Sequence, residues 1–452
     1  MKFRDDFVWG AATAAYQIEG GKTADGKGPS IWDVFTSRQG VIKDGTNGDT
    51  ACDHYGRMEE DVRLMAGLGL NGYRFSLSWP RIMPDGVTRN ERGLDFYDRL
   101  TDRLLECGIQ PFATLYHWDL PQALHLGGGW LNRDIAGRFA DYADVVGRRL
   151  GDRVKRFMTI NEPQVFLNAG YITGTHAPGF QIGLDDELTA VHNVLLSHGA
   201  AAAQLRAVVP DVKIGWASAG YPGCPASDRP EDIRAAEEIT FIYPDDHPCT
   251  AVAVFADPIE RGDYDKVYYE KYRDHLPDIR QDDMRKIAQP VDFHGQNCYA
   301  GRGVYMGKDG PTVIGAQPGE ALTQMQWNIY PDCLYWFPKM LHDRYHLPIY
   351  ITENGVSYSD YVFRDGGVHD PARSEYLCAH ISALKRAARD ADVRGYFYWS
   401  LMDNFEWAEG YTQRFGLIHV DFATGKRTPK DSYETYRRII ASNGSVTEDK
   451  QI

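Results

Sequence analysis

Residues 156–163 read RFMTINEP. An apolar, β-favouring run meets Asn161 and Glu162, and Pro163 then stops it. Burying an unpaired carboxylate is costly, so a strand that serves only packing avoids this ending. Residues 348–355, PIYITENG, repeat the pattern with Glu353 and Asn354. Working outward, six more short apolar or aromatic runs appear. They begin at Phe7 (FVWGAATAAYQ), Gly72 (GYRFSLSW), Gln110 (QPFATLYHW), Val212 (VKIGWASA), Val291 (VDFHGQNCY) and Arg394 (RGYFYWSLMDN). Helical stripes lie between them: Met58, Val62 and Met65; Phe96, Leu100 and Leu104; Ile135, Phe139, Tyr142 and Val146; Leu377, Ile381, Leu384 and Ala388.

Strands that alternate with helices call for a parallel sheet. Eight such units in one chain predict a closed (β/α)8 TIM barrel with extended βα loops. No linker or composition shift divides the sequence, so residues 1–452 are read as one catalytic domain, with residues 443–452 as a frayed tail. The Pro-rich GYPGCPASDRPED after the fifth strand reads as a barrel loop.

A barrel of this kind carries its active site at the carboxyl ends of the strands. That rim collects Gln17 and Glu19, Arg74, His117 and Trp118, Asn161 and Glu162, Asn297 and Tyr299, Glu353 and Asn354, Trp399, and then Asn404, Glu406 and Trp407. Paired carboxylates on one rim suit glycosidic bond cleavage: one protonates the leaving oxygen, and the other attacks the anomeric carbon or activates water. Aromatic rings beside amides and carboxylates suit a sugar, whose C–H face stacks while its hydroxyls pair.

The chain resembles the family 1 glycoside hydrolases, the β-glucosidase family. FVWGAATAAYQIEG, GPSIWDVF, GYRFSLSWPRI, TLYHWDLP, TINEP, GTHAPG, ITENG and YWSLMDNFEW match in order and spacing, and the resemblance runs on to SYETYRRII near residue 440. It implies a retaining β-glycosidase, foremost a β-glucosidase, acting on terminal β-D-glucosyl residues of cello-oligosaccharides and of aryl or alkyl glucosides. Glu162 is then the general acid/base and Glu353 the nucleophile, with Tyr299 and Arg74 holding the nucleophile ionised. Gln17, His117, Asn161, Glu406 and Trp407 bind the sugar, Trp399 is its floor, Asn297 is a neighbour, and Trp327 lines the leaving-group side. A subgroup that cleaves 6-phosphorylated sugars carries Ser and Lys where this chain has Glu406-Trp407-Ala408, so an unphosphorylated glycone is expected. Two departures concern the leaving-group side: Gln164 stands where many relatives have Trp, and Asn328 where Glu is more frequent. Broad β-glucosidase/β-galactosidase/β-fucosidase activity, transglycosylation on the same site, and a catalytically silent sugar-binding relative remain open alternatives.

Each of these residues also has a blander reading. Either glutamate alone fits a solvated strand end, His117 a satisfied core histidine, Trp399 and Trp407 barrel packing, and Arg74 a structural ion pair. GLGLNG, residues 67–72, matches a dinucleotide fingerprint in letters only, because it follows a helix and precedes a strand. DDHPC, residues 245–249, has metal-ligand residue types without a partner cluster. Asn443-Gly444-Ser445 matches a glycosylation sequon that is expected to be silent.

A net charge of −14 disfavours nucleic acid and anionic membranes as partners. A small β-glycoside is the expected partner, with no cofactor and no metal. MKFRDDFVWG lacks an apolar signal-peptide core, and the seven Cys show no C-x-x-C spacing. Both features favour a reducing cytoplasm.

Overall fold

The computed structural model describes residues 2–445. Eight parallel strands form a closed barrel. They are β1 Val8–Thr13, β2 Gly72–Ser76, β3 Gln110–Tyr116, β4 Arg156–Asn161, β5 Lys213–Ala219, β6 Phe293–Asn297, β7 Ile349–Asn354 and β8 Val393–Trp399. Each pairs with its sequence neighbours, and β1 closes on β8 through Val8–Gly395 to Ala12–Trp399. Seven of the eight strands lie within the runs found in the sequence, and β8 begins one residue earlier, at Val393. The strands are shorter than those runs where local propensity changes. After β1, Ala15–Ile18 turns helical, so Gln17 stands on a helical turn rather than on the strand.

The four stripes fall on the helices His54–Leu68, Glu91–Glu106, Ile135–Leu150 and Pro371–Asp390. Their apolar residues are buried against the strands, with Ala388 partly so, in one contiguous core. Gly69 ends the first of these helices with φ 84°, which makes GLGLNG a helix stop leading into β2. Two small sheets were not foreseen. One joins Gly223–Pro225 to Arg302–Gly307 and Gly310–Val313, and it takes its first strand from the Pro-rich loop. The other pairs Ile418–Asp421 with Lys426–Pro429.

The barrel floor is filled by rings. Phe112 packs edge-on against Phe397 at 4.9 Å and Tyr350 at 5.7 Å, and Phe293 meets Tyr350 at 5.1 Å. Neighbouring strands give these rings room by carrying glycine. A Cβ at Gly10 would lie 2.3 Å from the Phe397 ring, and one at Gly215 would lie 2.4 Å from the Phe293 ring. Large and small residues thus interdigitate and close the lower end, leaving the upper rim open for a site.

Of the expected tail, residues 446–452 lie outside the described residues. Asn443 donates from Nδ2 to the Phe3 carbonyl at 2.9 Å and accepts from Trp9 Nε1 at 3.0 Å. All seven cysteines are free thiols. Among the described residues no helix is long and apolar enough to cross a membrane, and no cluster of three or more His, Cys, Asp or Glu could hold a metal ion.

Gly10→Ala is expected to cost about 1–3 kcal/mol by overpacking against Phe397. Thermal unfolding checks this, and the melting temperature should fall.

Candidate active site

A cavity of about 680 Å³ opens at the carboxyl ends of the strands. His117, Glu162, Asn297, Tyr299, Trp327, Glu353, Trp399, Glu406 and Trp407 all line it. Three expected residues, Gln17, Arg74 and Asn161, sit directly behind this wall and are almost fully buried. Glu19 does not join them. It is spent on Arg81 Nε at 2.9 Å and on the Tyr97 hydroxyl at 2.6 Å.

Arg74 organises the centre. From β2 its Nη1 donates to Glu353 Oε1 at 2.6 Å and to the Thr352 carbonyl at 3.0 Å. Its Nη2 donates to Asn161 Oδ1 at 2.5 Å, and its Nε to Thr114 Oγ1 at 3.3 Å. The other oxygen of Glu353 accepts from the Tyr299 hydroxyl at 2.6 Å. Tyr299 is steadied in turn by Tyr376, whose hydroxyl donates to the Tyr299 carbonyl at 2.9 Å. Burial raises the Glu353 carboxyl above its ordinary range, while Arg74 and Tyr299 oppose the rise.

Asn161 Oδ1 is taken by Arg74 and by Asn297 Nδ2 at 3.0 Å. Its Nδ2 therefore faces His117 Nε2 at 3.1 Å, so that nitrogen accepts and the ring proton sits on Nδ1. Burial, aided by the Arg74 charge, holds His117 well below its ordinary pKa and hence neutral. Asn297 is held by Thr352, whose hydroxyl donates to Asn297 Oδ1 at 2.6 Å.

Glu162 has a different setting. β4 ends at Asn161, and the Glu162 N–H makes the last bond, to the Ala217 carbonyl at 2.7 Å. Pro163 then opens the short helix Pro163–Leu167, and Glu162 is left in the left-handed region at φ 46°, ψ 62°. Trp118 and Trp407 also line the cavity with positive φ, 80° and 47°. Three such non-glycine residues around one cavity, at about 1–3 kcal/mol each, mark stored strain at a site. Among the described residues no cation reaches ion-pair distance of Glu162. Its carboxyl is raised by burial first and by the Glu353 charge second. Of the two carboxyls, Glu162 therefore takes the proton and Glu353 keeps the charge.

The sugar-facing candidates form a connected group. Gln17 Nε2 donates to Asn404 Oδ1 at 3.1 Å, to the Phe405 carbonyl at 2.9 Å and to Glu406 Oε2 at 3.3 Å, while its Oε1 is buried without a partner. Burial, then the Glu353 charge, pushes Glu406 up to about 8. His117 stacks on Trp399 at 5.8 Å and on Trp407 at 5.9 Å. Trp407 also stacks on Tyr16 and leans on Trp32 and Trp118, so it serves packing as well as the cavity. Trp327 is half-buried and packs on Tyr299 and Phe415.

The sequence gives no reason to single out Phe415, His176 or Met325 as cavity walls. They come from loops, where no periodic pattern aims a side chain. His176 does fall inside the quoted GTHAPG. Thr114, Thr352 and Tyr376 are likewise missed, because they touch the site only through Arg74, Asn297 and Tyr299.

The family model described as Glycosyl hydrolase family 1 matches residues 1–445. The chain belongs to glycosyl hydrolase family 1. It is 46% identical over 447 residues to Beta-glucosidase A of Thermotoga maritima, covering 98% of each chain. It is 45% identical to a 1,4-beta-D-glucan glucohydrolase of Thermotoga neapolitana, covering 98% of this chain and 99% of the other. A solved structure of the Thermotoga maritima β-glucosidase in complex with glucoimidazole matches with a TM-score of 0.88 at 46% identity, over 98% of this chain and 99% of that one. The barrel and the family implied by the sequence motifs are both borne out.

In this family 1 chain, Tyr299→Phe removes a donor that favours ionised Glu353. The Glu353 pKa should rise, and the acid limb of the pH–activity profile should move to higher pH while kcat/KM falls. A pH profile of kcat/KM for the variant checks this.

Proposed function

We propose that this chain is a retaining β-glucosidase that works by double displacement, with Glu162 as acid/base and Glu353 as nucleophile. The observation that carries this reading is the unequal setting of two buried carboxyls on one cavity. Glu353 is held by Arg74 and Tyr299, and Glu162 by neither. Family membership supports retention, and the names of the relatives support glucose as the glycone.

In the first step Glu162 gives its proton to the glycosidic oxygen. The Glu353 carboxylate attacks the anomeric carbon, the bond to that oxygen breaks, and the leaving group departs as an alcohol. A glycosyl ester on Glu353 remains. Its formation removes the negative charge that helped to raise Glu162, so the Glu162 carboxylate becomes stable and can act as base. It takes a proton from water as the water oxygen attacks the anomeric carbon. The ester bond breaks, and Glu353 regains its charge.

The glycone side is read as Gln17, His117, Asn161, Glu406 and Trp407, with Trp399 as floor, Asn297 as neighbour and Trp327 toward the leaving group. The unpartnered Gln17 Oε1 fits a sugar hydroxyl. An unphosphorylated sugar is favoured because, among the described residues, four carboxyls line the cavity (Glu162, Glu353, Glu406 and Glu409) and no Lys or Arg does. The contiguous core supports one catalytic domain, and seven free thiols suit a reducing compartment.

Glu162→Gln should lower kcat/KM on cellobiose, a poor leaving group, by about 10²–10⁴-fold. The loss should be much smaller on a dinitrophenyl β-glucoside, whose leaving group needs no proton. Initial rates on both substrates test this; equal losses would remove Glu162 from the acid role. Initial rates on nitrophenyl β-glucoside, β-galactoside, β-fucoside, 6-phospho-β-glucoside and α-glucoside rank the glycones. β-Glucoside should lead and Glu353→Gln should abolish its turnover, whereas faster turnover of the 6-phosphate would overturn the unphosphorylated reading.

A further inference from the structure

Gln164 stands two residues after Glu162, on the first turn of Pro163–Leu167. Its Oε1 accepts from the Ala219 backbone N–H at 3.2 Å, which ties the side chain to the end of β5 and fixes which end of the amide is which. Its Nε2 is buried and has no hydrogen-bond partner, although the residue lines the cavity. A buried amide donor without an acceptor costs free energy, which a ligand acceptor would recover.

The position of that donor assigns the ligand part it meets. Gln17, Glu406 and Trp407 come from the segments after β1 and β8. Gln164 follows β4 on the helix Pro163–Leu167 and is tied to the end of β5, on the same side of the rim as Glu162 and across the barrel from the β1 and β8 segments. Glu162 protonates the oxygen that joins the sugar to its leaving group, so the leaving group lies toward Gln164. A second observation describes the same wall. Tyr221 follows β5, lines the cavity and is 41% exposed. Its ring is held by the Arg302 guanidinium at 4.8 Å, and its hydroxyl donates to Asn328 Oδ1. An immobilised aromatic ring and an unused amide donor on one cavity match the two faces of a pyranose, apolar C–H on one side and hydroxyls at the edge.

We propose that Gln164 selects the leaving group, its Nε2–H donating to a hydroxyl of a second sugar while Tyr221 carries that sugar's apolar face, so that saccharide leaving groups are favoured over aryl ones. This rests on the β-glucosidase reading of the site.

The test is the ratio of kcat/KM for cellobiose to kcat/KM for 4-nitrophenyl β-glucoside, in wild type, Gln164→Met and Gln164→Glu. Both substrates form the same glycosyl-enzyme, so the ratio reports the leaving-group step, and methyl β-glucoside, which needs the Glu162 proton but has no second sugar, is the control whose rate should not fall with that of cellobiose. Met keeps the length and loses both polar atoms. Glu keeps an acceptor for the Ala219 N–H and, ionised, replaces the donor with a carboxylate oxygen, whose added charge the methyl β-glucoside control reports. Each variant is measured at its own pH optimum after its melting temperature confirms folding. The ratio is expected to fall about tenfold in both variants. If Gln164→Met does not fold, Gln164→Glu decides alone. An unchanged ratio in the folded variants, or a fall in Gln164→Met only, overturns the proposal. Absence of turnover of either substrate by the wild-type protein overturns the β-glucosidase reading instead.

Discussion

The Arg74–Glu353 ion pair is the constraint on which the site depends. Both residues are buried, at 1% and 3% exposure, where each charge alone would be expensive. Barrel closure makes the pair affordable. Arg74 on β2 reaches Asn161 on β4, and Asn161 in turn holds Asn297 on β6. Three alternate strands so contribute to one polar layer above the aromatic floor, in the layered manner of such barrels. Glu353 enters that layer from β7 with its second oxygen held by Tyr299. Arg74 and Tyr299 both favour a charged Glu353, and burial together with that charge keeps the proton on Glu162. The protonation states of the two carboxyls are therefore one property of the barrel rather than two local accidents.

The surrounding cavity follows the same electrostatic logic. Among the described residues it is walled by aromatics and carboxyls without a Lys or Arg side chain. A neutral ligand with many hydroxyls meets such a wall at little cost, whereas a phosphate dianion would have nothing to neutralise it. Burial, then the Glu353 charge, pushes Glu406 up to about 8, which weakens its own charge near neutral pH. The unfavourable setting for a phosphate thus comes from the missing cation more than from charge on Glu406 itself.

Much of this was legible in the sequence because it is written in period and punctuation. Two-sided burial made the strands read as continuous apolar runs, and the helix stripes recurred at 3.6-residue spacing. Glu162 and Glu353 stood out because both interrupt such a run in the same way. What stayed hidden depends on contacts between distant residues or on backbone conformation. Glu19 looked like a rim residue, but Arg81 and Tyr97, more than 60 positions away, draw it behind the wall. Nothing in the residue types announces the left-handed backbone of Trp118, Glu162 and Trp407. Phe415 and His176 reach the cavity from loops, whose course the strand pattern does not set. Gly10 and Gly215 read as weak strand residues until Phe397 and Phe293 are seen to occupy the space a Cβ would need.

The central claim is that the charge fixed by Arg74 makes Glu353 the group that bonds to the sugar. The most direct measurement is covalent trapping with a 2-deoxy-2-fluoro-β-glucoside bearing a dinitrophenyl leaving group. The fluorine slows both steps, and the activated leaving group lets the first outrun the second. Intact mass spectrometry should show one added fluoroglucosyl group, and peptide mapping should place it on Glu353 within YITENG. An adduct on Glu162, or steady β-glucoside turnover from a protein that never accumulates an adduct, would contradict the account.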